Sequence, residues 1–219
     1  MSEYADDFVL PNLNLEFWDT KRIQEGRWEF AQILGEPAIK IEVHSLDLPE
    51  VGNNGVATER SELSEKATVM TPVGEEMWYG FSLYIPEDFQ ITDNRLLFAS
   101  LKQTDSKRSP IWALRYKGGE VSFLVQSGED RKTFKAPAVQ KGVWHRFLIF
   151  SRVDAAHQGH CKAFIDDAEF ASFEGLLGHP DDKAETYFKM GVYRDTVLHV
   201  DALYFAHFRR GLTRQSCQI

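Results

Sequence analysis

The chain has little cysteine, no long apolar run and no surplus of positive charge, and each shortage closes off a class of proteins. Two of its 219 residues are cysteine, Cys161 and Cys217, without metal-ligand spacing. They are read either as one disulfide of an exported protein or as two free thiols. No run of about 18 apolar residues occurs, so no membrane-spanning helix is expected. Residues 1–12 lack a basic stretch followed by an apolar one, so no signal peptide is read there. The formal net charge of −8 argues against broad electrostatic capture of nucleic acid or of an acidic membrane. A polyanionic partner would need a locally basic groove. The seven His show no paired spacing, so neither a metal site nor a required cofactor is expected. Asp166-Asp167 or Asp181-Asp182 could hold a structural calcium, but solvated turns are the commoner use of such pairs.

What is present is apolar and aromatic. Hydrophobic residues make up 43% of the chain and aromatics 13%, with 16 Phe and 5 Trp, enough for one core between two sheets. With no repeat, low-complexity tract or linker, residues 1–219 read as a single domain. Short runs of strand character recur between turn residues, at 15–19, 28–33, 38–44, 58–64, 76–85, 95–102, 111–116, 121–126, 144–152, 161–165, 187–194 and 200–209. Helix signals are sparse; 49–52 and 173–177 could each hold a short turn. Lys117-Gly118-Gly119-Glu120 reads as a hairpin, because glycine tolerates the positive φ of tight turns, and Asp166-Asp167 reads likewise. A dozen strands so punctuated predict an all-β jelly-roll sandwich of two antiparallel sheets, concanavalin-like, with one concave sheet forming a groove.

Alternate residues of a strand face opposite sides, so the phase of polar residues shows which of them share a surface. Arg60 and Glu62 share a face with Thr58 and Ser64 and could form an ion pair that presents the guanidinium to a carboxylate. The bland alternative is a solvated edge strand. In 187–194, Phe188, Met190 and Val192 form an apolar face, while Tyr187, Lys189, Gly191 and Tyr193 share the other. Gly191 removes bulk there and would let a ligand approach the backbone. Ser100 and Lys102 share a phase opposite Leu97, Ala99 and Leu101, and Lys102 is a candidate cation or base. Gln103 and Arg194 extend the candidate binding set. Trp78 and Tyr84 could stack on a ligand, though aromatics in strands are more often core. His145 is a candidate titrating base or a structural histidine beside Trp144.

These residues carry a resemblance. Glu59-Arg60-Ser61-Glu62-Leu63 and Tyr187-Phe188-Lys189-Met190-Gly191-Val192-Tyr193 resemble the first and last signature strands of jelly-roll alginate lyases. The stretch from Trp78 to Phe89 is similar to a strand and turn of the broader group that includes glucuronan lyases and heparin lyase I. The resemblance implies a concave sheet that binds an anionic polysaccharide, with Arg60 on a uronate carboxylate, Lys189 binding substrate and Tyr193 in proton transfer. It also implies an extracellular or periplasmic setting; a monomer is expected. The Gln-x-His middle motif of alginate lyases has no counterpart here, where the matching strand reads Ser100-Leu101-Lys102.

Elimination from a 4-linked uronate requires charge neutralisation at the carboxylate, removal of the C5 proton and protonation of O4. Arg60, Lys102 and Lys189 could supply the first and Tyr193 the third, with Tyr193, Lys102 or His145 as the base. Glycoside hydrolysis on the same architecture would need two flanking carboxylates, and Glu59 and Glu62 point to opposite faces. A carbohydrate-binding lectin would use the same aromatic and basic residues without proton transfer.

Overall fold

The computed structural model describes residues 3–9, 13–52, 55–104, 108–180 and 185–219. In chain order the strands are β1 Tyr4–Asp6, β2 Trp18–Arg22, β3 Trp28–Ile33, β4 Glu36–Val43, β5 Glu50–Val51, β6 Ala57–Glu65, β7 Glu76–Tyr84 and β8 Leu96–Gln103. They continue as β9 Trp112–Lys117, β10 Glu120–Ser127, β11 Asp130–Lys135, β12 Trp144–Arg152, β13 Asp154–Ile165, β14 Ala168–Leu177, β15 Thr186–Asp195 and β16 Asp201–Gly211. A single helical turn, α1 Arg214–Cys217, ends the chain. The strands form two antiparallel sheets, as expected. One runs β14-β13-β12-β7-β16-β4-β3 with β1 on β16; the other runs β11-β10-β9-β8-β15-β6-β2 with β5 on β6.

The inward phases of the two sheets meet in an aromatic core. Phe188 of β15 lies 4.9 Å from Tyr79 of β7, 6.0 Å from Trp112 of β9 and 5.3 Å from Phe208 of β16, ring centre to ring centre. Each such side chain contributes roughly 1.5–3 kcal/mol on burial. Hairpins form where the turn residues demand them: Gly118 and Gly119 have φ of +59° and +82°, and Asp166 and Asp167 of +48° and +68°.

Several expectations are corrected. Segment 173–177 is strand within β14, and 49–52 holds β5, so neither is a helical turn. Residues 15–17 form a turn, and β2 begins at Trp18. Strand β6 is no solvated edge: β15 flanks it on one side and β2 and β5 on the other, and every residue from Thr58 to Glu65 is buried. Two of its carboxylates therefore enter the core with partners. Glu59 Oε2 lies 2.9 Å from Arg194 Nη2, and Glu65 Oε1 lies 3.1 Å from Arg210 Nε. Cys161 and Cys217 are both free and buried.

Candidate active site

The outer face of the second sheet is hollowed into a groove of about 790 Å³. Among the described residues its wall carries eight of the chain's 25 Lys and Arg but two of its 33 Asp and Glu. An acidic protein thus concentrates positive potential in one cleft, a field complementary to a polyanion.

The pairing register builds the groove floor row by row. Arg60 of β6 pairs with Tyr193 of β15, Tyr193 with Leu97 of β8, and Leu97 with Arg115 of β9. A second row runs Ser64, Lys189, Ser100 and Ala113. A third brings Tyr187 opposite Lys102. Leu97 and Ser100 face the groove together, although three residues apart, because β8 slips register between Leu97 and Ala99. Gly191 serves a different purpose from the one its position suggests. A Cβ there would stand 2.3 Å from the Ser61 carbonyl oxygen, so its vacancy admits β6, not a ligand.

The Tyr193 ring packs on Leu97, Ala113 and Leu124 and is framed by cations. Arg60, Arg95 and Lys189 lie 4.8, 5.3 and 6.0 Å from its centroid. Glu62, beneath them, accepts a 2.5 Å hydrogen bond from Lys189 Nζ and lies 3.7 Å from Arg60 Nη1. Burial alone would raise the Glu62 carboxyl, but the charges of Lys189 and Arg60 outweigh it and hold the group below its ordinary value. Burial pulls the Lys189 ammonium down to about 8, assisted by Arg22 and Arg60 and opposed by Glu62. Burial also lowers Lys102 and raises Tyr187, so the Tyr187 phenol stays protonated at neutral pH. Glu50, on β5, places its carboxylate on Arg60 Nη2 from the solvent side.

The fold brings together Arg60, Glu62, Ser100, Lys102, Tyr187, Lys189 and Tyr193. It does not bring the other candidates to the groove. His145 lies on β12 of the opposite sheet, with Nδ1 2.7 Å from Asp166 Oδ2 and Nε2 accepting from Gln140 N at 3.0 Å; it pins a loop. Trp78 packs on Phe150 and Phe164, and Tyr84 on Trp144 and Tyr204, all on that other sheet or its outer face. Arg194 points into the core, where Nη1 donates to Asp201 at 2.5 Å and Nε to Glu59 at 3.0 Å. Gln103 is buried, its Oε1 accepting from His179 N at 3.3 Å. Sequence reading overlooked Arg22, Glu50, Arg95, Arg115, Gln126 and Arg131, all on the groove wall. Arg115 carried a signal, a lone charge in phase with Ala113 and opposite Trp112, Leu114 and Tyr116. No group of three His, Cys, Asp or Glu among the described residues could hold a metal, and Asp181-Asp182 lies outside them.

A family model described as polysaccharide lyase matches residues 14–209. No curated protein matches the chain by sequence. Among solved structures, an endo-β-1,4-glucuronan lyase from the fungus Trichoderma reesei superposes with a TM-score of 0.72 at 16% identity, covering 98% of this chain and 97% of that one. A family 7 alginate lyase in complex with substrate gives 0.64 at 13%, covering 95% and 96%. The catalytic domain of a glycoside hydrolase family 131 protein from Coprinopsis cinerea gives 0.60 at 12%, covering 93% and 86%. At these identities the likeness is one of fold, and that fold serves both elimination and hydrolysis.

Proposed function

This chain belongs to the polysaccharide lyase family, and from that premise we propose that it cleaves a 1,4-linked polyuronate, of glucuronan or alginate kind, by β-elimination. The observation that carries the reading is Tyr193 set among Arg60, Arg95 and Lys189 in a basic groove. Arg60 and Lys189 bind the uronate carboxylate and stabilise the enolate-like charge that develops as C5 loses its proton. The C5–H electron pair becomes the C4–C5 double bond, and the C4–O4 bond breaks. Tyr193 acts as the phenolate: it takes the proton from C5, becomes a neutral phenol and gives that proton to the departing O4, and the adjoining cations stabilise the negative charge its oxygen carries before the first transfer and after the second. Glu62 positions Lys189 and Arg60, and Ser100 and Tyr187 line the path of the chain.

Hydrolysis is disfavoured by the state of the carboxylates. It needs a protonated acid with a raised pKa facing a second carboxylate. Of the two on the described wall, Glu62 is lowered and Glu50 is salt-bridged to Arg60. The deciding experiment incubates the protein with glucuronan, alginate, pectate and heparin-type chains. Ultraviolet absorbance from new C4–C5 double bonds marks a lyase; reducing ends without it mark a hydrolase, and binding without either marks a lectin.

The pH dependence follows from Lys189. With its pKa lowered to about 8, the ammonium is charged below that pH and neutral above it, so the substrate carboxylate loses one partner as pH rises. KM is expected to climb through this window in steady-state assays. Lys189→Arg, which stays charged, should remove the climb; an unchanged profile would mean that Lys189 does not hold the carboxylate.

A further inference from the structure

Five of the eight cations on the groove wall divide into two groups by what neutralises them. Arg60 and Lys189 share Glu50 and Glu62, and Arg95 is held by Asp195 at 2.7 Å. Arg115 and Arg131 have neutral partners instead. Among the described residues Arg115 Nη2 reaches only the Ser122 hydroxyl, at 3.4 Å, and its buried Nε has no hydrogen-bond partner. Arg131 donates to Ser109 Oγ at 2.7 Å and to Gln126 Oε1 at 3.1 Å, and the Gln126 amide is itself fixed by donating to the carbonyls of Gly128 and Asp130 at 2.7 and 3.0 Å. Burial first, then the charges of Arg115 and Arg95, pull the Arg131 guanidinium below its ordinary value. Two held guanidiniums that repel each other, with donors to spare, form a site whose missing component is an anion.

Its position says which anion. Arg115 lies on the row that starts at Arg60 and passes through Tyr193, two strands beyond Tyr193 and so roughly 10 Å from it. Resting on the polyuronate reading above, we infer that Arg115 and Arg131 bind the carboxylate of a second uronate, further along the chain than the one held by Arg60 and Lys189. The enzyme then selects a run of consecutive uronates over polymers in which charged and neutral sugars alternate.

The test compares wild type with Arg115→Gln, Arg131→Gln and the double variant on glucuronan, alginate and their partly carboxyl-reduced forms. Calorimetric binding of the same oligomers is measured in a Tyr193→Phe background. The double variant should raise KM and Kd roughly 10- to 100-fold with kcat little changed, and should lose the preference for the unreduced polymer. Unchanged KM and Kd, or a fall in kcat alone, would overturn the inference. So would a loss of affinity confined to sulfated heparin-type chains, which would assign the site to sulfate. If wild type binds polyuronates without producing double bonds, the elimination reading fails while the binding arm still decides the subsite.

Discussion

Tyr193→Phe is expected to reduce kcat by roughly 10²- to 10⁴-fold, the usual contribution of a positioned proton-transfer group, with substrate affinity retained. The substitution removes one oxygen. The ring keeps its seat on Leu97, Ala113 and Leu124 and its contacts with Arg60, Arg95 and Lys189, so the groove keeps its shape and charge. The measurement is the rate of double-bond absorbance beside a Kd from calorimetry. Retention of more than about a tenth of wild-type kcat would remove Tyr193 from the chemistry. Lys102, whose ammonium is lowered by burial, would then be the remaining candidate base, and Lys102→Met would show the large loss instead.

Arg194→Met should be the most destabilising single change near the groove, although Arg194 touches no substrate. Its guanidinium joins Glu59, fully buried, to Asp201, and donates to the His199 carbonyl at 2.8 Å. Removing it leaves two core carboxylates without their cation, which typically costs 3–5 kcal/mol. Against a total stability of about 5–15 kcal/mol, that corresponds to a fall in Tm of roughly 6–20 °C for a chain of this size. Thermal unfolding followed by circular dichroism measures it. Because the side chain points away from the groove, KM of the folded fraction should match wild type. A small Tm change with a raised KM would instead return Arg194 to the binding surface. Replacing Glu59, Arg194 and Asp201 together by apolar residues of similar volume should recover much of the loss, since no charge is then left buried alone.

Strand alternation was enough to place Arg60 with Glu62, and Lys189 with Tyr193 and Tyr187, because parity along a strand is a local property. It also assigned Arg194 to the apolar phase of Phe188, Met190 and Val192, and Gln103 to the phase opposite Lys102; their polarity drew them into the site against that rule. Parity does not say which sheet a strand joins. Trp78, Tyr84 and His145 sit in well-read strands of the other sheet, and only long-range pairing reveals it. Strand β11 escaped because Asp130-Arg131-Lys132-Thr133 is polar on both phases, as an exposed edge strand can be, and Arg131 was lost with it. Segment 173–177 escaped because Glu174-Gly175 breaks the pattern inside β14. The bulge in β8 that turns Leu97 to the groove has no mark in the sequence.

The strand carrying Lys189 and Tyr193 lies late in the chain and in the middle of its sheet. Until residues 186–195 emerge from the ribosome, β6 and β8, between which β15 inserts, present unpaired edges and an unfilled core. Sheets completed by such distant pairing fold slowly, and their incomplete forms associate with one another. Expression yield and refolding rate should therefore depend strongly on this late insertion. A chain truncated before β15 would be an aggregating fragment, not a weakened enzyme.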